Sequence, residues 1–157
     1  MKSRNCKKDI TDFLSQKRFA AVGVSKEPRD FSRSLFGSLV QKGYDVVPVN
    51  PSLTEIEGRK CYASIADIET PITAALILTP PAVTEKVVRD CAARGIGLIW
   101  MHRGAGVGAV SESAIAFCHE HGIRVIAGEC PFMFLPQSGL GHRIHGLIRK
   151  ATGAYPN

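Results

Sequence analysis

The residues best placed to do chemistry stand at the ends of apolar runs. Phe19-Ala20-Ala21-Val22-Gly23-Val24 is continuous and apolar, it stops at Ser25, and Lys26, Arg29 and Arg33 follow closely. A glycine admits close backbone approach and a serine offers a hydroxyl. The amides that open the next helix would turn its positive dipole end toward the same space. With three cations beside them, these features suit a phosphate or pyrophosphate. The G-x-G-x-x-G dinucleotide pattern is incomplete, because Val24-Ser25-Lys26-Glu27-Pro28 follows Gly23 with no second or third glycine in place.

Other reactive side chains have simpler expected roles. His102 and Arg103 follow the apolar run Gly97-Leu98-Ile99-Trp100-Met101, where a histidine either acts as a base or contacts a phosphate. Cys130 precedes Pro131 after another apolar run, and a small apolar role at a tight turn outweighs thiol exchange. Cys118-His119-Glu120-His121 brings metal-type donors together without a fourth ligand, so it is expected to be the polar last turn of a helix ahead of Gly122. His142 and His145, near Arg143, Arg149 and Lys150, suit a solvated or oligomer-facing surface. No catalytic residue and no metal ligand is assigned.

The elements that must hold these residues alternate regularly. A short helix is expected at Ile10–Leu14, a strand at Phe19–Val24, and a helix from Ser32 to Lys42 with Leu35, Phe36, Leu39 and Val40 on one face. Val46–Val49 forms the second strand, closed by Asn50-Pro51. Ile72–Leu78 forms the third, ending in Thr79-Pro80-Pro81, and a helix runs from Ala82 to Arg94. Gly97–Met101 is the fourth strand, Ser111 caps a helix running to His121, and Ile123–Ala127 is the fifth strand. A loop and an amphipathic helix around Leu140–Lys150 complete the chain.

Apolar strands separated by helices imply an α/β fold: a single Rossmann-like domain, with a five-stranded, mostly parallel sheet and helices on both faces. The one domain would occupy residues 1–157, with its core at about 10–135 and a C-terminal loop and helix at 136–157. In such sheets ligands bind outside the carboxyl ends of the strands, where strand order reverses. The exits are Gly23-Val24-Ser25, Asn50-Pro51, Thr79-Pro80-Pro81, His102-Arg103-Gly104 and Glu129-Cys130-Pro131. They are rich in small and rigid residues and poor in acids and bases. The second exit carries Asn50 where NAD-binding domains usually place an acid for the ribose diol, and Asp45 lies at the other end of that strand.

Composition narrows the classes further. The 157 residues are 45% hydrophobic and 22% charged, with mean hydropathy +0.03, which excludes a disordered chain. No apolar run approaches the roughly 20 residues of a membrane span. The basic Met1–Lys8 segment leads into no apolar stretch or small-residue cleavage site, so a cytoplasmic location is expected. The net charge of +6 sits at the ends: residues 9–141 carry 13 basic against 14 acidic side chains. A nucleic-acid domain would concentrate that charge on one face of its fold, so no nucleic-acid partner is expected. Five widely spaced cysteines without a C-x-x-C pair fit a reducing compartment.

Ala21-Val22-Gly23-Val24-Ser25, Gly43-Tyr44-Asp45-Val46-Val47-Pro48-Val49-Asn50-Pro51 and Ile56-x-Gly58-x-x-Cys61-Tyr62 occur in order, followed by Pro80-Pro81, Trp100-Met101-His102 and Cys130-Pro131. Over roughly residues 18–135 this resembles the small stand-alone CoA-binding proteins. They are related to the CoA-binding domain of the succinyl-CoA synthetase alpha subunit and of ADP-forming acyl-CoA synthetases. The resemblance implies coenzyme A held across the carboxyl edge of the sheet. Gly23, Val24, Ser25 and Lys26 would approach the diphosphate with Arg33 as counter-charge, and Asn50 and Pro51 would lie beside the adenosine. Thr79, Pro80, Pro81, Met101, His102 and Arg103 would flank the pantetheine arm.

Two departures stand out. His102-Arg103-Gly104 replaces the Gln-x-Gly common after Trp-Met, and the chain continues through Phe132–Leu135 into a basic final segment. The resemblance brings neither the phosphohistidine domain nor the nucleotide-binding subunit of the synthetases within this length. The expected function is therefore non-catalytic binding of CoA or an acyl-CoA, as a carrier, a sensor or a subunit of a larger synthetase. Homodimer burial of Phe132–Leu135 is a further expectation. The alternatives are an NAD(P)-binding redox protein and an interaction module using the basic termini.

Overall fold

In the computed structural model, residues 5–104 and 106–135 are described. The expected terminal helix and the basic end at 142–157 lie outside them, as do residues 1–4 of the basic Met1–Lys8 segment. Helix α1 (Lys7–Ser15) leads into β1 (Arg18–Val22), α2 (Phe31–Gln41) and β2 (Asp45–Val49). A hairpin of β3 (Glu55–Ile56) and β4 (Arg59–Lys60) follows, then β5 (Ala74–Ile77), α3 (Pro81–Ala93), β6 (Leu98–His102), α4 (Glu112–Glu120) and β7 (Arg124–Glu129). Five strands form one parallel sheet in the order β2-β1-β5-β6-β7. This is the expected α/β architecture.

Strands read as unbroken apolar runs because both faces of the sheet are covered. Alternate residues of one strand enter two different cores. Phe19 and Ala21 of β1 join Leu98 and Trp100 of β6 beneath Phe13 of α1 and Leu35, Phe36 and Leu39 of α2. Ala20, Val22, Ile99 and Met101 face the other way, against Val87, Val88 and Cys91 of α3 and Ala114 and Cys118 of α4. Small side chains at Ala20 and Ala21 let the central strand lie between two helical layers. Trp100 is fully buried, with Phe13 set edge-on at 5.3 Å, and its Nε1–H donates to the Glu129 carbonyl at 3.0 Å. Tryptophan suits a core only where that polar N–H finds an acceptor.

The structure moves some expected boundaries. His102 is the last residue of β6, because it still pairs with Glu129 of β7 across a bulge after Met101. Strand β7 continues to Glu129, two residues past the expected end, and β5 is shorter than its apolar run. The Cys118–His121 cluster lies where expected: α4 ends at Glu120, and Cys118 is buried in the core. The Phe132–Leu135 stretch folds back on its own core. Phe134 packs against Trp100 at 5.9 Å and Leu135 is buried, which removes the support this stretch gave to a dimer. Among the described residues no helix is long and apolar enough to cross a membrane.

Strand β7 is an edge, and one side chain closes part of it. Asn5 Nδ2 donates to the Ala127 carbonyl at 2.8 Å and to Glu129 Oε1 at 2.9 Å, while the Ala127 N–H donates to Asn5 Oδ1 at 2.8 Å. The amide thus pairs as a neighbouring strand would, blunting an edge that could otherwise template association. Asn5→Ala is expected to lower the unfolding free energy by about 1–3 kcal/mol. Urea denaturation checks this.

Candidate functional site

Chain order fixes the ligand edge. From β1 the chain steps to β2 on one side, then returns to lay β5 on the other side of β1 and continues outward through β6 and β7. The order therefore reverses between β1 and β5, and in open α/β sheets a ligand crevice lies beyond the carboxyl ends at such a reversal.

Gly23 stands at this reversal, directly after β1 and against the exit of β5. Its φ is +94°, and a Cβ there would lie 3.0 Å from the Leu78 carbonyl carbon, the Thr79 nitrogen and Thr79 Cγ2. Only glycine takes this turn while the exits of β1 and β5 stay so close. Its N–H donates to the Val49 carbonyl at 2.9 Å, and the Leu78 N–H donates to Val22 at 2.8 Å. The second exit is tied to the first, because Asn50 Nδ2 donates to the Val24 carbonyl at 2.9 Å and Asn50 Oδ1 accepts from the Ser52 N–H. Pro51 stands exposed beside it.

The loop after Ser25 is fixed by side chains. The Ser25 N–H donates to Ser32 Oγ at 2.9 Å, and the Ser32 hydroxyl donates onward to Asp30 Oδ1 at 2.6 Å. Asp30 also caps α2 by accepting from the Ser32 N–H at 2.8 Å. The start of α2 thus carries its own anion at its positive end, so it is less open than the sequence implies. Arg33 is mostly buried: its Nη1 donates to the Ser25 and Lys26 carbonyls at 3.3 and 3.2 Å, and its Nη2 meets Glu57 Oε1 at 3.4 Å. It braces the loop through those two carbonyls, while Lys26 and Arg29 stand exposed.

The third exit is bound to the fourth. Thr84 on α3 donates to the Ala109 carbonyl at 2.8 Å, and the Thr79 and Thr84 hydroxyls lie 3.0 Å apart. Pro80 stands at the cap of α3 and Pro81 at its first position, where a missing N–H costs nothing. His102 stacks on Phe31 with centroids 4.9 Å apart, and Phe132 meets Phe31 edge-on at 5.7 Å. The Arg103 Nε–H donates to the Gly106 carbonyl at 2.9 Å and closes its own loop.

The carboxyl ends of the strands therefore carry Gly23, Ser25, Lys26, Asn50, Pro51, Pro80, Pro81, His102 and Arg103, with Arg33 bonded to the loop carbonyls. Val24, Met101 and Thr79 are buried. Strand parity turns Met101 into the α3–α4 core, and Val24 and Thr79 offer backbone rather than side chain. Sequence reasoning missed Ser32, Thr84, Glu57 and Phe31. The Asp30-x-Ser32 spacing was a readable capping signal, whereas the bonds of Thr84 and Glu57 reach across the chain. Asp45 sits at the amino end of β2, paired with Arg18 and with Arg59 at 3.1 Å, far from any ribose at the carboxyl edge.

Gly23→Ala is expected to cost about 1–3 kcal/mol in stability from its positive φ and to close the crevice. Thermal melts read the first effect and ligand titration the second.

The four buried thiols are poor nucleophiles. Burial pushes Cys91 up to about 12 and Cys118 to about 11, and it raises Cys130 as well. Cys6 is exposed. A thiol whose pKa is raised by folding stabilises nothing once the unfolded chain ionises. Stability is therefore expected to fall as pH rises from about 9, the ordinary thiol value, toward 12. An aromatic disulfide reagent at pH 8 should label Cys6 rapidly in the folded protein and the four buried thiols only on unfolding.

Comparison with known proteins agrees with this fold. The chain is 26% identical over 152 residues to the alpha subunit of ADP-forming acetate–CoA ligase II of Pyrococcus furiosus, covering 91% of this chain and 33% of that protein. It spans a third or less of the length of the first ADP-forming ligases it matches. YneT of Bacillus subtilis is 28% identical over 125 residues, 79% of this chain and 90% of that one. A hypothetical protein of Pyrococcus horikoshii OT3 superimposes with a TM-score of 0.74 at 26% identity, covering 94% of this chain and 99% of that one. Residues 17–136 match the sequence pattern of the CoA binding domain, and the chain belongs to that family.

Proposed function

We propose that this chain binds coenzyme A or an acyl-CoA across the carboxyl edge of its sheet, as a non-catalytic carrier, sensor or subunit of a larger synthetase. The observation that carries this is the convergence of three strand exits on the β1–β5 reversal, with Gly23 pinched against Leu78 and Thr79. The diphosphate lies over Gly23–Lys26, within reach of the exposed Lys26 and Arg29 side chains and the Ser25 hydroxyl. The adenosine lies beside Asn50 and Pro51. The pantetheine arm runs past Thr79, Pro80 and Pro81 toward His102 and Arg103.

A dinucleotide fits less well. Both ends of the Asn50 amide are already bonded, to Val24 and Ser52, and no carboxylate stands at the end of β2. A synthetase partner is the association that the ligase relatives support.

Calorimetric titration with CoA, acetyl-CoA, NADH and NADPH tests this directly. Micromolar or tighter binding of CoA is expected, absent for NADH, and Arg33→Ala should weaken it at least about tenfold by removing a charge-assisted brace. Binding of NADH or NADPH without CoA overturns the proposal.

A further inference from the structure

The Glu57 carboxylate faces Arg33 from an unusual backbone position. Glu57 has φ +49°, the sole non-glycine residue with positive φ among the described residues, and it shares the β3–β4 turn with Gly58 at φ +77°. Two such residues make the tight turn that a two-residue hairpin needs, where Asn-Gly or Gly-Gly are the unstrained choices. A glutamate costs free energy there. Strain of this kind persists where surrounding contacts determine it, and it concentrates at functional sites.

The contact is visible. Glu57 reaches across to α2, its carboxylate lying 3.4 Å from Arg33 Nη2 and 3.6 Å from where a Cβ would stand on Gly37. A larger side chain at Gly37 would crowd that carboxylate. Arg33 itself is only partly committed. Nη1 serves two loop carbonyls, Nη2 has the long pair with Glu57, and Nε is buried without an acceptor among the described residues. An arginine fork that holds a carboxylate on one edge is shaped to hold a phosphate there instead.

We infer that Glu57 is an internal anion occupying the Nη2 edge of Arg33, displaced when a ligand phosphate binds there, so that it sets the threshold affinity of the site. This rests on the diphosphate lying over the Gly23–Lys26 loop. Its consequence concerns ligand class. A group must carry more negative charge than one carboxylate to take Arg33 from Glu57, which favours diphosphate esters over neutral or singly charged ligands. The pair is part-exposed and long, so its strength is that of a surface ion pair rather than a buried one.

Glu57→Gln keeps the shape and removes the charge, while Glu57→Gly also removes the strain. Both are expected to bind CoA about two- to fivefold more tightly than wild type, the range that an exposed ion pair supports. Glu69→Gln makes the same change in net charge at a residue paired with Lys60, and it should leave affinity unchanged. Weaker binding in Glu57→Gln would show that the carboxylate positions Arg33 for the ligand, and it overturns the inference. Equal tightening in Glu69→Gln assigns the effect to overall charge and overturns it too. Failure of wild type and all variants to bind CoA overturns the diphosphate placement itself, which is a different result from either.

Discussion

Strands β1 and β5 leave the sheet side by side, and their exits come so close that the turn after β1 has no room for a side chain. Gly23 meets that constraint, with the backbone of Leu78 and Thr79 where its Cβ would be. Much of the carboxyl edge depends on it. The Gly23 N–H reaches Val49, Asn50 holds the Val24 carbonyl, and the loop from Ser25 to Asp30 is drawn over the start of α2 by the Ser32 hydroxyl. The residues that build this edge fall within the 17–136 stretch that matches the CoA binding domain family.

The charges around this edge are balanced rather than simply positive. Asp30 already satisfies the start of α2 and Glu57 already faces Arg33. Lys26 and Arg29 stand exposed over the same loop. Under the proposed placement, a bound phosphate exchanges places with the Glu57 carboxylate on Arg33. Such exchange favours multiply charged ligands and keeps the unliganded loop ordered.

Much of the fold was legible because both sheet faces are buried: unbroken apolar runs such as Phe19–Val22 mark strands, and Gly43, Gly95 and Gly122 end the helices. Asp45 could be assigned to the amino end of β2 by position alone. Strand order could not be read, since the pairing of β1 with β5 is a tertiary choice. The β3–β4 hairpin escaped notice because two-residue strands are too short to show a period of two. His102 looked like a loop residue because its pairing partner, Glu129, lies far along the chain across a bulge. Within the candidate site, residue types at the exits were readable. The roles of Arg33 as a loop brace and Met101 as core depended on side-chain direction, which composition and spacing do not carry.

The central claim is a location: a CoA diphosphate over the Gly23–Lys26 loop at the β1–β5 reversal. Amide chemical shifts in a nitrogen-15-labelled sample, followed as CoA is added, test that location most directly. The account predicts saturable shifts at Gly23–Arg33, Asn50, Thr79, His102 and Arg103, with the amino edge around Arg18 and Asp45 unmoved. Saturable shifts centred on Arg18, Asp45 and Arg59, with the Gly23 loop silent, would contradict it.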